Sequence, residues 1–359
     1  ARSLLSSSDT YSLNGTFVRN LDRVTDATLS ARFDHTDSLG LLGLSNDGLG
    51  NVRRREARTQ NFTTSGALNG MVGSWRWSAT GNFSISDTLT FTDRDNGVRD
   101  RVDSNQKTFG ALANMSGAIT EGWAGPIRAT VTAAYTGLRF DSETNRNGLI
   151  TSSDLGRDTP SILGSVTIPL LDSEYDIGNV GRLSLTLNAK AENPSDFAAL
   201  YSLGGSLNWN VTNNLSLIGS YSRDQAAPGV SQLGATVLET DAVTYYDFQQ
   251  GRTVEITTVT GGNPNLLAET RRDLKFGVNW NVPAVEGLRL AVDYNRNRSD
   301  NTANSFPLLT PEIEEAFADR VVRDDDGNLI RLDQRPVNFA RSENSQIRWG
   351  VNFGKSFGQ

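Results

Sequence analysis

The chain has 359 residues, enough for one large all-β unit or about two ordinary domains, yet only 37% are hydrophobic, which is low for a dry core of that size. A formal net charge of −7 argues against nucleic acid as a partner, because a phosphate backbone is bound by a basic field. The absence of cysteine excludes a disulfide framework and thiolate metal sites, and no apolar run approaches the ~18 residues of a membrane helix.

Period-two alternation, which puts every second side chain on one face, defines the elements. In chain order the expected strands are 10–21, 26–37, 58–73, 75–93, 106–120, 125–142, 158–170, 181–193, 198–212, 214–225, 268–282, 287–300 and 336–357. The pattern is sharpest at Leu183, Leu185, Leu187, Ala189 and Ala191, which alternate with Ser184, Thr186, Asn188 and Lys190. It recurs at Leu274, Phe276, Val278 and Trp280, at Leu288, Leu290, Val292 and Tyr294, and at Ile347, Trp349, Val351 and Phe353. Abundant Asn, Ser and Thr, with 34 glycines, disfavour long helices. One short helix is expected between the last two strands, as a surface element over a barrel mouth. There Thr310 can cap, Pro311 suits the first turn, Glu312 and Glu314 favour the positive end, and Ile313, Ala316, Phe317 and Val321 share a face.

The connections sort by parity. Short ones fall at 22–25, 73–74, 121–125, 172–180, 212–214 and 283–287; long ones at 38–57, 94–105, 142–157, 226–267 and 300–335. The link at 194–197 is brief where the scheme calls for a long one. Short turns at one rim and long loops at the other describe an antiparallel transmembrane β-barrel with its loops outside the cell. Closed strand pairing is also the one way besides a helix to satisfy backbone groups in lipid. The competing reading is a soluble antiparallel sandwich. It would bury its apolar face, whereas these apolar faces are thin and Ala-rich, and the polar faces suit a wet lumen. Trp75, Trp77, Trp209 and Trp280 lie beside short turns, as an interfacial girdle would. With no initiator Met or signal peptide, the chain reads as a piece of a longer exported protein.

Residues able to do chemistry are few. His35, the single histidine, sits on an expected strand and reads as structural. Without another His or any Cys, a zinc site would rest on carboxylates alone, and no P-loop, nucleophile elbow or dinucleotide fingerprint is present. No catalytic residue, metal site or cofactor is assigned. The acidic runs Asp93, Asp95, Asp100, Asp103 and Asp324, Asp325, Asp326 before Gly327 lack EF-hand spacing and read as solvated loop tips. Arg53, Arg54 and Arg55 are placed in a loop and read first as a solvated run, with contact to lipopolysaccharide phosphates as the alternative.

At 261–269 the sequence is Gly-Gly-Asn-Pro-Asn-Leu-Leu-Ala-Glu. It resembles the Asn-Pro-Asn-Leu-Lys-Pro-Glu signature that precedes a barrel strand in TonB-dependent outer-membrane receptors. Asn263, Pro264, Asn265, Leu266 and Glu269 match, and Leu267 and Ala268 replace Lys-Pro. Upstream, Tyr221-Ser222-Arg223 leading to Ala227-Pro228 and then Gln232-Leu233 is similar to a Tyr-Ser-x-x-Phe-Arg-Ala-Pro segment of that family, with Gln225-Ala226 where Phe-Arg is usual. Arg335-Pro336-Val337-Asn338-Phe339-Ala340 also looks like barrel sequence of this family.

The resemblance implies that residues 1–359 are part of a single barrel domain, from a 22-stranded barrel with a plug in its lumen. It further implies active uptake in the outer membrane of a Gram-negative bacterium, driven by the TonB complex acting through the plug. The partners would be outer-membrane lipid and lipopolysaccharide, and a small ligand such as a siderophore, oligosaccharide or peptide. About thirteen strands cannot close such a circle, so an open sheet or incomplete barrel is expected. A passive porin-like channel and a barrel adhesin are the alternatives.

Overall fold

The computed structural model describes residues 5–44, 51–94, 97–146, 148–172 and 181–354. Ten strands follow one another: β1 (Ser7–Asn20), β2 (Asp26–Leu44), β3 (Val52–Val72), β4 (Trp75–Asp93), β5 (Arg99–Gly122), β6 (Gly125–Arg146), β7 (Leu149–Leu171), β8 (Arg182–Glu192), β9 (Leu200–Thr212) and β10 (Leu215–Ala226). Then come helix α1 (Val230–Gly234), β11 (Leu238–Asp247), β12 (Arg252–Thr260), β13 (Glu269–Asn281) and β14 (Leu288–Asn304). Helix α2 (Pro311–Ala316), β15 (Val321–Arg323), β16 (Leu329–Asp333) and β17 (Val337–Phe353) complete the chain. Strands β1 to β10, β13, β14 and β17 form one thirteen-stranded sheet in that order, and β11, β12, β16 and β15 form a second. The thirteen strands are those the alternation marked. The larger sheet begins at β1 and ends at β17, so it is not closed.

Contacts divide the chain into two compact units. One comprises Ala1–Tyr221, Lys275–Tyr294 and Ile347–Gln359; the other, called here the loop module, comprises Ser222–Leu274 and Asn295–Gln346.

In the first unit, register turns the alternation of single strands into rows that cross the sheet. One row passes from β2 to β9 through Ala27, Leu68, Ala79, Ala113, Ala133, Ile162, Ala191 and Tyr201 without a polar residue. On the opposite face a row from β1 to β7 reads Thr16, Ser30, Ser65, Asn82, Gly110, Thr136 and Thr159. The apolar face is not packed against protein: Phe17, Leu29, Ile162, Leu203 and Trp349 are each more than half exposed. A soluble monomer rarely leaves so large a patch bare, and a soluble sandwich would have covered it. Aromatic rings on it lie over glycines, Trp75 on Gly117, Trp77 on Gly70 and Phe109 on Gly137, where an added Cβ would collide with the ring.

The band has a sharp upper limit. The row Leu13, Phe33, Phe62, Ile85 is followed two residues further by Tyr11, His35, Gln60, Asp87, and then by Asn105, Asp141 and Asp154 on β5 to β7. From Phe62 to Val72 along β3, ten steps span about 34 Å, or about 26 Å of bilayer normal at a ~40° tilt. That matches the ~25 Å apolar band of outer-membrane barrels.

Three expected loops are corrected. Much of 38–57, 94–105 and 142–157 is strand: β2 continues to Leu44, β3 begins at Val52, β5 begins at Arg99, β6 reaches Arg146 and β7 starts at Leu149. Above the apolar band both faces of the sheet are wet, so hydropathic alternation stops while backbone pairing continues. Arg53, Arg54 and Arg55 therefore lie on β3, and Asp100 and Asp103 on β5, rather than in loops. The brief 194–197 link folds onto the taller β7: Ser195 N donates to Asp158 O (2.8 Å), and Arg157 pairs with Asp196 (2.6 Å). Asp95, the 173–180 turn and the end of the last expected strand fall outside the described residues.

Candidate functional site in the loop module

The connections 226–267 and 300–335 were read from sequence as loops, and they supply every strand of the smaller sheet. Strands β11 and β12 pair antiparallel, β12 and β16 parallel, and β15 and β16 antiparallel. Their shared face buries Ile256, Leu309, Leu329 and Leu332, with Tyr245, Val254, Phe306, Ile313 and Val321 packed around them. A core of this size explains how long connections hold a fixed form: each buried aliphatic contributes about 1.5–3 kcal/mol. Helix α2 starts as the sequence indicates, with Thr310 Oγ1 accepting from Ile313 N (3.4 Å) and Pro311 in the first turn. It ends at Ala316, however, and Val321 opens β15 instead of continuing the helical face.

A buried ion network lies beside this core. Asp247, 1% exposed, accepts from Arg323 Nη1 (2.7 Å) and Nη2 (3.1 Å) and from Gln249 N (3.0 Å). Arg323 also donates to Glu314 from Nε (2.6 Å) and Nη2 (2.8 Å), which ties α2 to β11 and β15. Hydrogen bonds from Arg323 hold the Asp247 carboxyl below its usual range against the upward push of burial. Those to Glu314 and Asp247 raise Arg323 above its own. Burial pushes the Asp333 carboxyl up, but Arg335 and the charge of Arg320 outweigh it and leave it lowered. These groups are fully used by one another, which marks a structural framework.

The signature segment lies on the path from β12 to β13 and acts as a clamp. Asn263, 5% exposed, folds its Oδ1 back to accept from Asn265 N (3.0 Å) and donates from Nδ2 to Pro336 O (2.9 Å). Its own N–H donates to Gln232 O of α1 (2.7 Å). Leu266 is buried, and Glu269 meets Arg271 (3.4 Å). Gly261 has φ +121°, and a Cβ there would stand 2.5 Å from Thr236 O; at Gly262 it would stand 2.6 Å from Leu233 O. Side chains are excluded so that α1 can lie against the segment.

Sequence reasoning missed two partners. Asn338 accepts from Leu267 N (2.8 Å) and donates to Leu267 O (3.2 Å) and Asn301 O (2.7 Å). Gln232 accepts from Gly229 N (2.8 Å) and donates to Ala303 O (3.1 Å). Stretches at 229–235, 261–267, 301–303 and 336–338 are thus joined by the amide side chains of Asn263, Asn338 and Gln232.

Other residues singled out from sequence are placed plainly. His35 Nε2 meets Asp37 (3.0 Å) on the wet extension of β2. Asp324 accepts from Asp326 N (3.1 Å) and Asn328 N (2.7 Å), closing its own turn. Among the described residues no group of three or more His, Asp or Glu is arranged to hold a metal ion.

The family model described as TonB dependent receptor-like, beta-barrel matches residues 2–354. No curated protein sequence matches the chain. Similar solved structures include the siderophore receptor PirA from Acinetobacter baumannii, at 11% identity, 97% of this chain, 51% of that one and TM-score 0.67. The ferric enterobactin receptor PfeA from Pseudomonas aeruginosa follows at 13%, 96%, 49% and 0.67. The hemophore receptor HasR from Serratia marcescens, solved with its hemophore and heme, gives 13%, 96%, 52% and 0.60. The chain therefore spans about half the length of these structures, and at such identities the likeness is one of fold.

Proposed function

Since the chain belongs to the TonB-dependent receptor β-barrel family, we propose that it is wall and external loop of an outer-membrane receptor in a Gram-negative bacterium. Both units are taken as parts of one barrel domain over residues 1–359. The apolar rows face lipid and the polar rows line the lumen. The receptor captures a small ligand such as a siderophore, oligosaccharide or peptide. The TonB complex drives uptake through a plug, because the outer membrane has no energy source of its own. It is a transport protein and no catalytic role is assigned to it.

The observation that carries this reading is the apolar row running through eight adjacent strands from β2 to β9 while the other face stays hydrophilic. The test uses cells bearing the intact receptor of which this chain is part. Accumulation of a ferric siderophore, an oligosaccharide or a short peptide should stop when TonB is deleted. Accumulation that persists without TonB, together with sugar-driven swelling of liposomes containing the purified protein, would identify a passive channel instead.

A further inference from the structure

Strand β11 closes one end of the smaller sheet: it pairs with β12 on one side, and on its other side no strand follows. A strand turns its backbone N–H and C=O groups to its two neighbours on alternate residues. The open side of β11 therefore offers a donor and an acceptor in the plane of the sheet about every 6.8 Å. The opposite end of that sheet offers far less, because β15 has three residues and its pairing with β16 shifts register after Val322. Strand β11 has ten residues. Its ladder to β12 is irregular between Thr240 and Val243, then runs without a break from the Val243–Ile256 pair to the Asp247–Arg252 pair. Bulges, lysines and prolines are the usual devices that spoil an open edge. Over Val243–Asp247 the sequence Val-Thr-Tyr-Tyr-Asp has none of them.

The side chains beside this edge are bare. Tyr246 and Phe248 are 47% and 42% exposed, and their rings meet edge to face with centroids 4.9 Å apart. Val237 and Leu238 are half exposed at the other end of the strand. The edge is also acidic. Asp241 is exposed and accepts from Thr257 Oγ1 (2.7 Å), and β11 carries no Lys or Arg.

We propose that β11 is a docking edge for an extended, basic peptide, which joins the smaller sheet as a fifth strand. A row of alternating backbone donors and acceptors is matched by another extended backbone; a sugar or an iron chelate has no such repeat. Tyr246 and Phe248 receive apolar side chains from alternate peptide residues on one face, and Asp241 selects cationic peptides over anionic ones. The inference deepens the receptor reading by choosing peptide among the small ligands, and it rests on that reading for the presence of such a ligand. Its assay uses purified receptor without TonB. Failure there leaves TonB-driven uptake standing, and uptake that persists without TonB leaves the edge standing.

The test is hydrogen exchange at single-amide resolution on the intact receptor in detergent, titrated to about 1 mM with the peptide Lys-Thr-Val-Thr-Val-Thr-Val-Lys. Alternate amides of Val243–Asp247, those on the open side, should exchange rapidly in the free receptor and slow about tenfold once free peptide reaches ten times its Kd. The same peptide N-methylated at every residue has no amide hydrogens to donate and should leave them unchanged, and Glu in place of both Lys should weaken the effect severalfold. Tyr246→Ala should raise Kd roughly fivefold, while the amides of Ile256 and Leu332 keep parental protection and report a folded module. Where Tyr246→Ala loosens the module, Phe248→Ala, in the turn beyond β11, takes its place. Open-side amides already protected without peptide would mean that another part of the receptor or a second copy covers the edge, and would overturn the proposal. So would equal protection by the N-methylated peptide, or no protection at the end of the titration.

Discussion

Asp247→Asn tests whether the loop module is a folded body in its own right. The substitution keeps shape but removes the charge that accepts two bonds from Arg323, in a site where Asp247 is 1% exposed. Taking one partner from a buried pair costs about 3–5 kcal/mol, and because Glu314 still engages Arg323 the lower end applies, about 3 kcal/mol. Native-state hydrogen exchange on the intact receptor should then show roughly 150-fold lower protection in β12 and β16, with the amides of β3 to β6 unchanged. Glu239→Gln is the internal control. Its ion pair with Arg331 (2.5 Å) is half exposed on both sides, so solvent screens it and protection should change little. Equal protection in the two variants would refute the claim that this network organises the module.

Acid should act on the same group. Asp247 titrates below its unfolded value, so its contribution is complete above about pH 4 and is lost as pH falls through the lower folded value; exchange in β12 measured from pH 6 down to 3 should rise only at the acid end. Asn338→Ala removes one acceptor and two donor contacts at the clamp and should cost about 1–3 kcal/mol, read as faster proteolysis near 261–268; cleavage at the parental rate would contradict the clamp. Gly262→Ala sets a Cβ 2.6 Å from backbone atoms of α1, and the yield of assembled receptor should drop sharply, whereas a normal yield would mean α1 can shift freely. Leu68→Arg on the apolar face should cost about 2–4 kcal/mol of barrel stability, measured as loss of the heat-modifiable folded form in lipid vesicles. Ala67→Arg, on the hydrophilic face, should cost far less, and a reversed order would mean the faces are assigned the wrong way round.

The thirteen long strands were legible because an apolar face on one side and a polar face on the other impose a period of two on the residues themselves. Where both sides are wet that imprint vanishes, and 38–57, 94–105 and 142–157 read as loops although their backbones are paired. The smaller sheet was missed for a different reason. Val254, Ile256 and Thr258 do alternate with Thr253, Glu255 and Thr257, but the run is brief and lies inside a long polar stretch. Thr310-Pro311-Glu312 announced α2 through its cap, while α1 is five residues long and rests on contacts with Gly262 and Ala303 that are remote in sequence. The signature could be recognised as a motif, but its role depends on Asn338 and Pro336, more than seventy positions away. The meeting of Arg272, Arg298 and Arg341 at Asp300 joins three strands far apart in the chain, which no local pattern encodes.

The tall hairpin of β6 and β7 bears on affinity. Residues 142–146 and 149–157, which look like a floppy tether, are held in a hydrogen-bonded ladder before anything docks. Ordering a free backbone costs about 1–2 kcal/mol per residue, and here folding has already met that cost. Any molecule that docked on such a stiff arm would keep nearly all of its interaction energy as binding, with little spent on freezing the arm.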